Sequence, residues 1–119
     1  MGKFEVIIYS KADNSEPVMS FLETLPHKIY AKVARSINLL QTYGNELREP
    51  DSKELEDGIF ELRVIQGTDT VRILYFFIIG RKIILTNGFI KKTQKTPKKE
   101  IEKAKIYRKD YLARCERRG

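Results

Sequence analysis

The stretch VRILYFFIIGRKIILTN, residues 71–87, limits the fold more than any other feature. Its residues are largely β-branched or aromatic, and a Gly-Arg pair at 80–81 breaks the run, so it reads as two buried strands joined by a tight turn. The longest unbroken apolar run, Ile73 to Ile79, is far short of the roughly 20 residues that span a bilayer. The amino terminus MGKFEVIIYSKADN lacks a signal-peptide core of adequate length, which gives the expectation of a cytoplasmic protein with no membrane partner. Upstream, IFELRVIQ at 59–66 leads through Gly67-Thr68 into the first of those strands. Glycine first of two loop positions suits a type II′ turn, so residues 59–66, 70–78 and 82–90 are expected to form an antiparallel meander.

The rest of the chain supplies what covers the sheet. KFEVIIYS reads as a first strand, Lys3 to Tyr9. Asn14 or Ser15 can cap a short helix with Pro17 in its first turn and Val18, Phe21, Leu22 and Leu25 on one side. From Pro26, Ile29, Val33, Ile37 and Leu40 recur at helical spacing until Gly44, a C-terminal cap. The two helices are expected to pair as an N-terminal hairpin. Residues 45–57 are polar, hold Pro50 and show no sustained period, so they read as a connecting loop. Thr96 and Pro97 open a last helix with Ile101, Ala104, Tyr111 and Cys115 along one side. With 119 residues, this is one domain, 1–119, of α+β class: an antiparallel sheet, an N-terminal helical hairpin and a C-terminal helix.

If both hairpin loops hold two residues, paired positions sum to 135 in the first and 161 in the second. Arg63 then lies opposite Arg72, and Arg72 opposite Phe89. Leu62, Val64, Val71, Ile73, Tyr75, Phe77, Ile84 and Ile90 share the other face and make the better core. Like charges directly across a strand pair destabilise it, so an anion belongs between the arginines. It is either Glu61, two positions along the same face, or a bound phosphate, whose oxygens match guanidinium forks. Phe89 beside them either fills space or offers a stacking surface to a nucleobase.

Charge points the same way. The formal net charge is +7, and seven lysines fall within residues 88–105. A basic excess of this kind favours a polyanionic or acidic partner. The strand ending at Ile90 delivers Lys91, Lys92 and Lys95 to the rim of the face that carries the arginines, whereas Lys98, Lys99, Lys103 and Lys105 read as a solvated helix face. The single cysteine, Cys115, excludes an internal disulfide and a multi-cysteine zinc site. No cluster of His, Cys and carboxylates has metal-ligand spacing, so neither metal nor cofactor is expected.

The order strand, helix, helix, three strands, helix, together with LEDGIFELRV, VRILYFF and GFIKKTQKTPKKEIEKA, resembles the toxins of the RelE/ParE superfamily, in particular the HigB-like, phage-derived branch. The resemblance covers nearly the whole chain and implies a small microbial-RNase-like fold, neutralised by a cognate helix-turn-helix antitoxin of HigA-like kind. It implies that the toxin enters the ribosome and cuts mRNA without a metal, although ParE relatives poison DNA gyrase instead. By the same resemblance Arg72 matches an active-site arginine, Lys92 a second basic site residue, and Lys53 a basic residue of the preceding loop. RelE's catalytic tyrosine has no counterpart near Thr96 and Pro97, which leaves that role vacant or to Tyr107 or Tyr111. His27, the only histidine, starts a helix remote from the motif.

Metal-independent RNA cleavage needs a base for the 2′-hydroxyl, cations for the phosphorane and an acid for the departing 5′-oxygen. Arg63 and Arg72 suit the second task. Lysines crowded by other cations have lowered pKa values and suit proton transfer, which points to Lys91 and Lys92, with Glu61 an alternative base. Lys53, Phe89 and Lys95 are the expected substrate contacts. The competing classes are a non-catalytic toxin that blocks a protein target such as gyrase, and a basic RNA-binding domain.

Overall fold

A computed structural model describes residues 3–91 and 95–118. The elements are β1 (Glu5–Ile8), α1 (Pro17–Leu22), α2 (His27–Tyr43), a 3₁₀ turn (Gly44–Glu46), β2 (Ser52–Glu56), β3 (Ile59–Gln66), β4 (Asp69–Ile78), β5 (Lys82–Lys91) and α3 (Lys98–Arg118). The five strands form one sheet in the order β1-β5-β4-β3-β2. The fold is mixed α+β. The sheet is not wholly antiparallel, because β1 runs parallel to β5; the two helices carry the chain from β1 to β2 at the opposite edge, and the meander β2-β3-β4-β5 returns to it. Among the described residues no helix is long and apolar enough to cross a membrane.

The expected helical hairpin is replaced by two helices laid separately on the sheet. At six residues α1 is too short to offer α2 a packing stripe, and its main contacts are with β5, while those of α2 are with β3. Gly88 permits the first contact: a Cβ there would lie 2.6 Å from Phe21 Cδ2 and 2.8 Å from Ile73 Cδ1. In α2 the positions Val33 and Leu40 are fully buried, and Gly44 ends the helix at φ 51°, its N–H donating to the Leu40 carbonyl. Val18, Leu22, Val33 and Leu40 join Leu62, Val64, Val71, Ile73, Tyr75, Ile83 and Leu85 in one core. Each such side chain removed from water contributes about 1.5–3 kcal/mol.

The other face carries a smaller core under α3, made of Tyr9, Ile59, Leu74, Phe76, Ile84 and Ala104. Ile84 belongs here and not on the helical face expected for it. The β4–β5 pairs sum to 161 from Thr70↔Lys91 to Leu74↔Asn87, then shift to Tyr75↔Leu85. Thr86 is the extra residue of a β-bulge, which flips the alternation beyond it. Its hydroxyl donates to the Leu74 carbonyl at 3.1 Å. The shift is accommodated at the turn, where the loop holds three residues, Ile79, Gly80 and Arg81, the last two at positive φ. The first hairpin keeps the expected register, Gln66↔Asp69 through Arg63↔Arg72. Residues 45–57 are not a plain loop: they contain β2, a mostly exposed edge strand paired with β3, in which Ser52 is buried and Leu55 is half-buried against the α3-side core.

Candidate nucleic-acid interface

Alternation along β3 and β4 brings Glu61, Arg63 and Arg72 to the face that α3 only partly covers. Glu61 is 1% exposed and forms the hub. Its Oε2 accepts from Arg72 Nη1 at 2.5 Å and from Arg63 Nε at 2.9 Å. Its Oε1 accepts from the Thr96 hydroxyl at 2.6 Å. Arg63 also reaches Glu49 at 3.3 Å. The anion between the two arginines is therefore the protein's own carboxylate. Breaking a buried pair costs most when it strands a charge, so Glu61, which serves two cations, is the member whose loss is least compensated. Arg72 Nε is buried without a hydrogen-bond partner. Burial lowers the Arg72 pKa and the nearby Arg63 charge adds to this, while Glu61 opposes both; the guanidinium remains charged.

Lys91, at the end of β5 opposite Thr70, shares that face and is 4% exposed. Burial is the first cause that pulls its ammonium below the usual lysine range, followed by the Arg72 charge, with Arg63 and Lys53 adding to it and Glu61 opposing. Lys53 lies on β2 directly opposite Glu61 and is exposed, as is Lys95. Lys53, Arg63, Lys91 and Lys95 line, with Glu61, Thr96 and a second carboxylate, Glu56, a cleft of about 210 Å³ whose apolar side is Leu55 and Ile101. The cleft thus gathers cations from β2, β3, β5 and the strap before α3. Phe89 sits opposite Arg72 and is half-buried against the α3-side core, so much of its ring is spent on packing. Lys92 lies outside the described residues.

The tyrosines of α3 are not in this cluster. Tyr107 stacks on Tyr9, just after β1, with centroids 4.8 Å apart, and Tyr111 meets Phe76 edge-on at 6.2 Å. β1 is separated from β3 by two strands. His27 is exposed at the start of α2. Thr96, expected as a helix cap, gives its hydroxyl to Glu61, a role that no local pattern in the sequence announces. The Asn87 side-chain amide donates to Glu100 Oε1 at 3.1 Å and so ties the first turn of α3 to β5 beside the cleft. Among the described residues no three His, Cys, Asp or Glu side chains come together as a metal site. The arrangement can hold an anion against several fixed cations, and it keeps a carboxylate and a lysine of lowered pKa within the same cluster.

A family model described as "Phage derived protein Gp49-like (DUF891)" matches residues 20–109. That span runs from α1 into α3 and includes every member of the cluster. No curated protein matches the chain at a significant level.

Proposed function

The chain belongs to the Gp49-like family of phage-derived proteins, a RelE-like, toxin-like family, and from that premise we propose that it is the toxin of a toxin–antitoxin pair, of the HigB-like branch, and that it inhibits translation as a ribosome-dependent mRNA endoribonuclease. The toxin-like family implies an antitoxin partner; a helix-turn-helix protein of HigA-like kind fits the branch. One observation carries the reading: Lys53, Arg63, Arg72, Lys91 and Lys95 converge from separate elements on one end of a sheet face, around a carboxylate. A protein stabilised only by its core has no need to gather charge there.

In the proposed reaction the RNA 2′-oxygen attacks the adjacent phosphorus, and the P–O5′ bond breaks to leave a cyclic phosphate. Glu61 accepts the 2′-hydroxyl proton once the substrate phosphate draws the arginines toward itself. Arg63 and Arg72 balance the phosphorane, and the unpartnered Arg72 Nε offers one more donor. Lys91 gives its proton to the departing 5′-oxygen, which its lowered pKa favours. Lys92 serves with Lys91, while Lys53, Lys95 and the exposed edge of Phe89 hold the flanking nucleotides. The ribosome supplies alignment that these residues alone do not.

A second reading, a non-catalytic toxin of ParE-like kind that blocks gyrase, draws support from Glu61, which already neutralises both arginines, and from the engagement of Tyr107 and Tyr111 elsewhere. Purified protein added to a reconstituted translation reaction and to a gyrase supercoiling reaction separates the two. The nuclease reading expects loss of translation with supercoiling intact; the reverse would overturn it.

A further inference from the structure

Along β2 the side chains alternate as far as Glu54. Lys53 pairs with Glu61 and faces α3, whereas Glu54 pairs with Phe60, which packs on the α2 side. The register then shifts, and Glu56, not Leu55, pairs with Ile59 of the α3-side core. Leu55 is therefore the extra residue of a β-bulge, and it packs against that same core. Strict alternation would have sent Glu56 to the α2 side. The bulge turns it into the cleft instead, next to Leu55.

Helix docking does not explain a carboxylate there. Lys105 Nζ donates to Glu56 Oε2 at 2.5 Å, the one hydrogen bond to Glu56 among the described residues. That bond holds the carboxyl below the usual carboxylate range, so at neutral pH Glu56 is an anion on the rim of a cationic cleft. Lys105 also has Glu102 at 3.5 Å, and one turn further on Arg108 ties α3 to the Asp57 carboxylate at 2.9 Å. The helix thus has a second anchor beside it, and Glu56 stays 46% exposed. Glu56 is level with Ile59, and Arg63 comes four residues later on β3, roughly 13 Å of strand. A phosphate at the arginines and a group at Glu56 are therefore separate contacts, with Leu55 and Ile101 as the apolar wall. At about 210 Å³ the cleft is smaller than the roughly 300–1,000 Å³ of sites that enclose a whole ligand. It takes one part of an RNA: a flat group with apolar faces and N–H donors on its edge.

We propose that Glu56 reads the base beside the scissile phosphate and selects guanine, which lies against Leu55 and Ile101 and donates its N1–H and N2–H to the carboxylate. The inference rests on the nuclease reading and names what that site prefers. Unstacked bases are read on their Watson–Crick edges, and among the four only guanine sets two donors side by side there. Adenine and cytosine offer one amine next to a bare ring nitrogen, and uracil one N–H between two carbonyls, so each turns a lone pair toward the carboxylate. The guanine O6, next to N1–H, is an acceptor for Lys105.

The test induces the full chain in cells as wild type, Glu56→Gln or Glu56→Ala, maps the cut ends of a message of known sequence, and tallies the bases on either side of each cut against the message's composition. On one side of the cut, wild type should favour guanine over uracil about ten-fold or more, the discrimination that one bidentate contact supplies. Glu56→Gln exchanges an acceptor for a donor and so matches adenine N6–H and N1; the preference should pass from guanine to adenine. Glu56→Ala should flatten it. Both variants should melt within a few degrees of wild type, since Arg108 still ties α3; if one melts early, the wild-type tally decides alone. Cuts by wild type without a guanine bias, or the same bias in Glu56→Gln, would overturn the base reading while the nuclease reading stands. A folded Glu56→Gln that cuts nowhere would put Glu56 in the chemistry and overturn it as well. No cuts by wild type would remove the nuclease reading and this one with it.

Discussion

Two of the arginine–carboxylate clusters on the α3 side of the sheet differ in charge balance. Near β3, one buried carboxylate, Glu61, serves Arg63 and Arg72 with Lys53, Lys91 and Lys95 around it, so positive charge is in excess. At the opposite edge, Asp110 accepts from Arg114 at 2.6 Å and from the Tyr9 hydroxyl at 2.6 Å, while Arg114 also donates to the Ser10 carbonyl. There the charges cancel, and the cluster fastens α3 to the residues that follow β1. Asp110 is 39% exposed, Glu61 1%. The balanced cluster docks a helix, although Arg114 Nε, like Arg72 Nε, is buried without a hydrogen-bond partner. The unbalanced one gathers more cations than its one buried carboxylate offsets.

Substitutions can break this contrast. Glu61→Ala should have the largest effect, about 3–5 kcal/mol of stability, because it strands the buried Arg72 and leaves the half-buried Arg63 with Glu49 alone; chemical denaturation measures it, and a loss under about 1 kcal/mol would mean the cluster is effectively solvated. Arg72→Ala should abolish growth arrest yet cost only about 1–2 kcal/mol, since Glu61 keeps Arg63 and Thr96. A loss equal to a core deletion, about 2–5 kcal/mol, with toxicity retained would make Arg72 structural. Asp110→Asn should cost about 1 kcal/mol or less and leave toxicity unchanged; a loss of toxicity would bring the far cluster into the function.

The smallest effects are in alkaline pH dependence, and the two clusters should differ in sign. The Tyr9 phenol is pushed up to about 12, first by burial and then by Asp110. A raised value means that the folded state holds the proton more tightly, so this stabilisation is present below 10 and is lost as pH rises from 10 to about 12. Lys91 is depressed instead. Its burial disfavours the charged form at neutral pH, and that penalty lifts as pH climbs from its lowered folded-state value toward the ordinary 10.5. Against wild type, Tyr9→Phe should remove a fall in stability and Lys91→Met a rise, as measured by denaturation at stepped alkaline pH. Slopes of the same sign would contradict the assigned environments.

How far the sequence could be read depended on whether a rule was local. The II′ turn at Gly67-Thr68 fixed the first hairpin, so Arg63 opposite Arg72 was legible, and Glu61 followed by alternation. The bulge at Thr86 was not, because no residue of IILTNGF marks it locally, and it puts Ile84 on the face opposite to the one that a regular register implies. β2 was missed because it is a polar edge strand, held by β3 and not by its own pattern. The helical hairpin failed for a packing reason, since α1 finds more apolar contact at Gly88 than along α2. Thr96 was seen as a cap and not as a ligand of Glu61, which lies 35 residues away.

The central claim is that the unbalanced cluster acts on RNA. Primer extension on a defined mRNA, after induction in cells of wild type or Arg72→Ala, with and without a translation inhibitor, tests it most directly. The account predicts discrete cuts with wild type alone, and their disappearance when translation is blocked. An intact message in cells whose growth wild type has nevertheless arrested would contradict it.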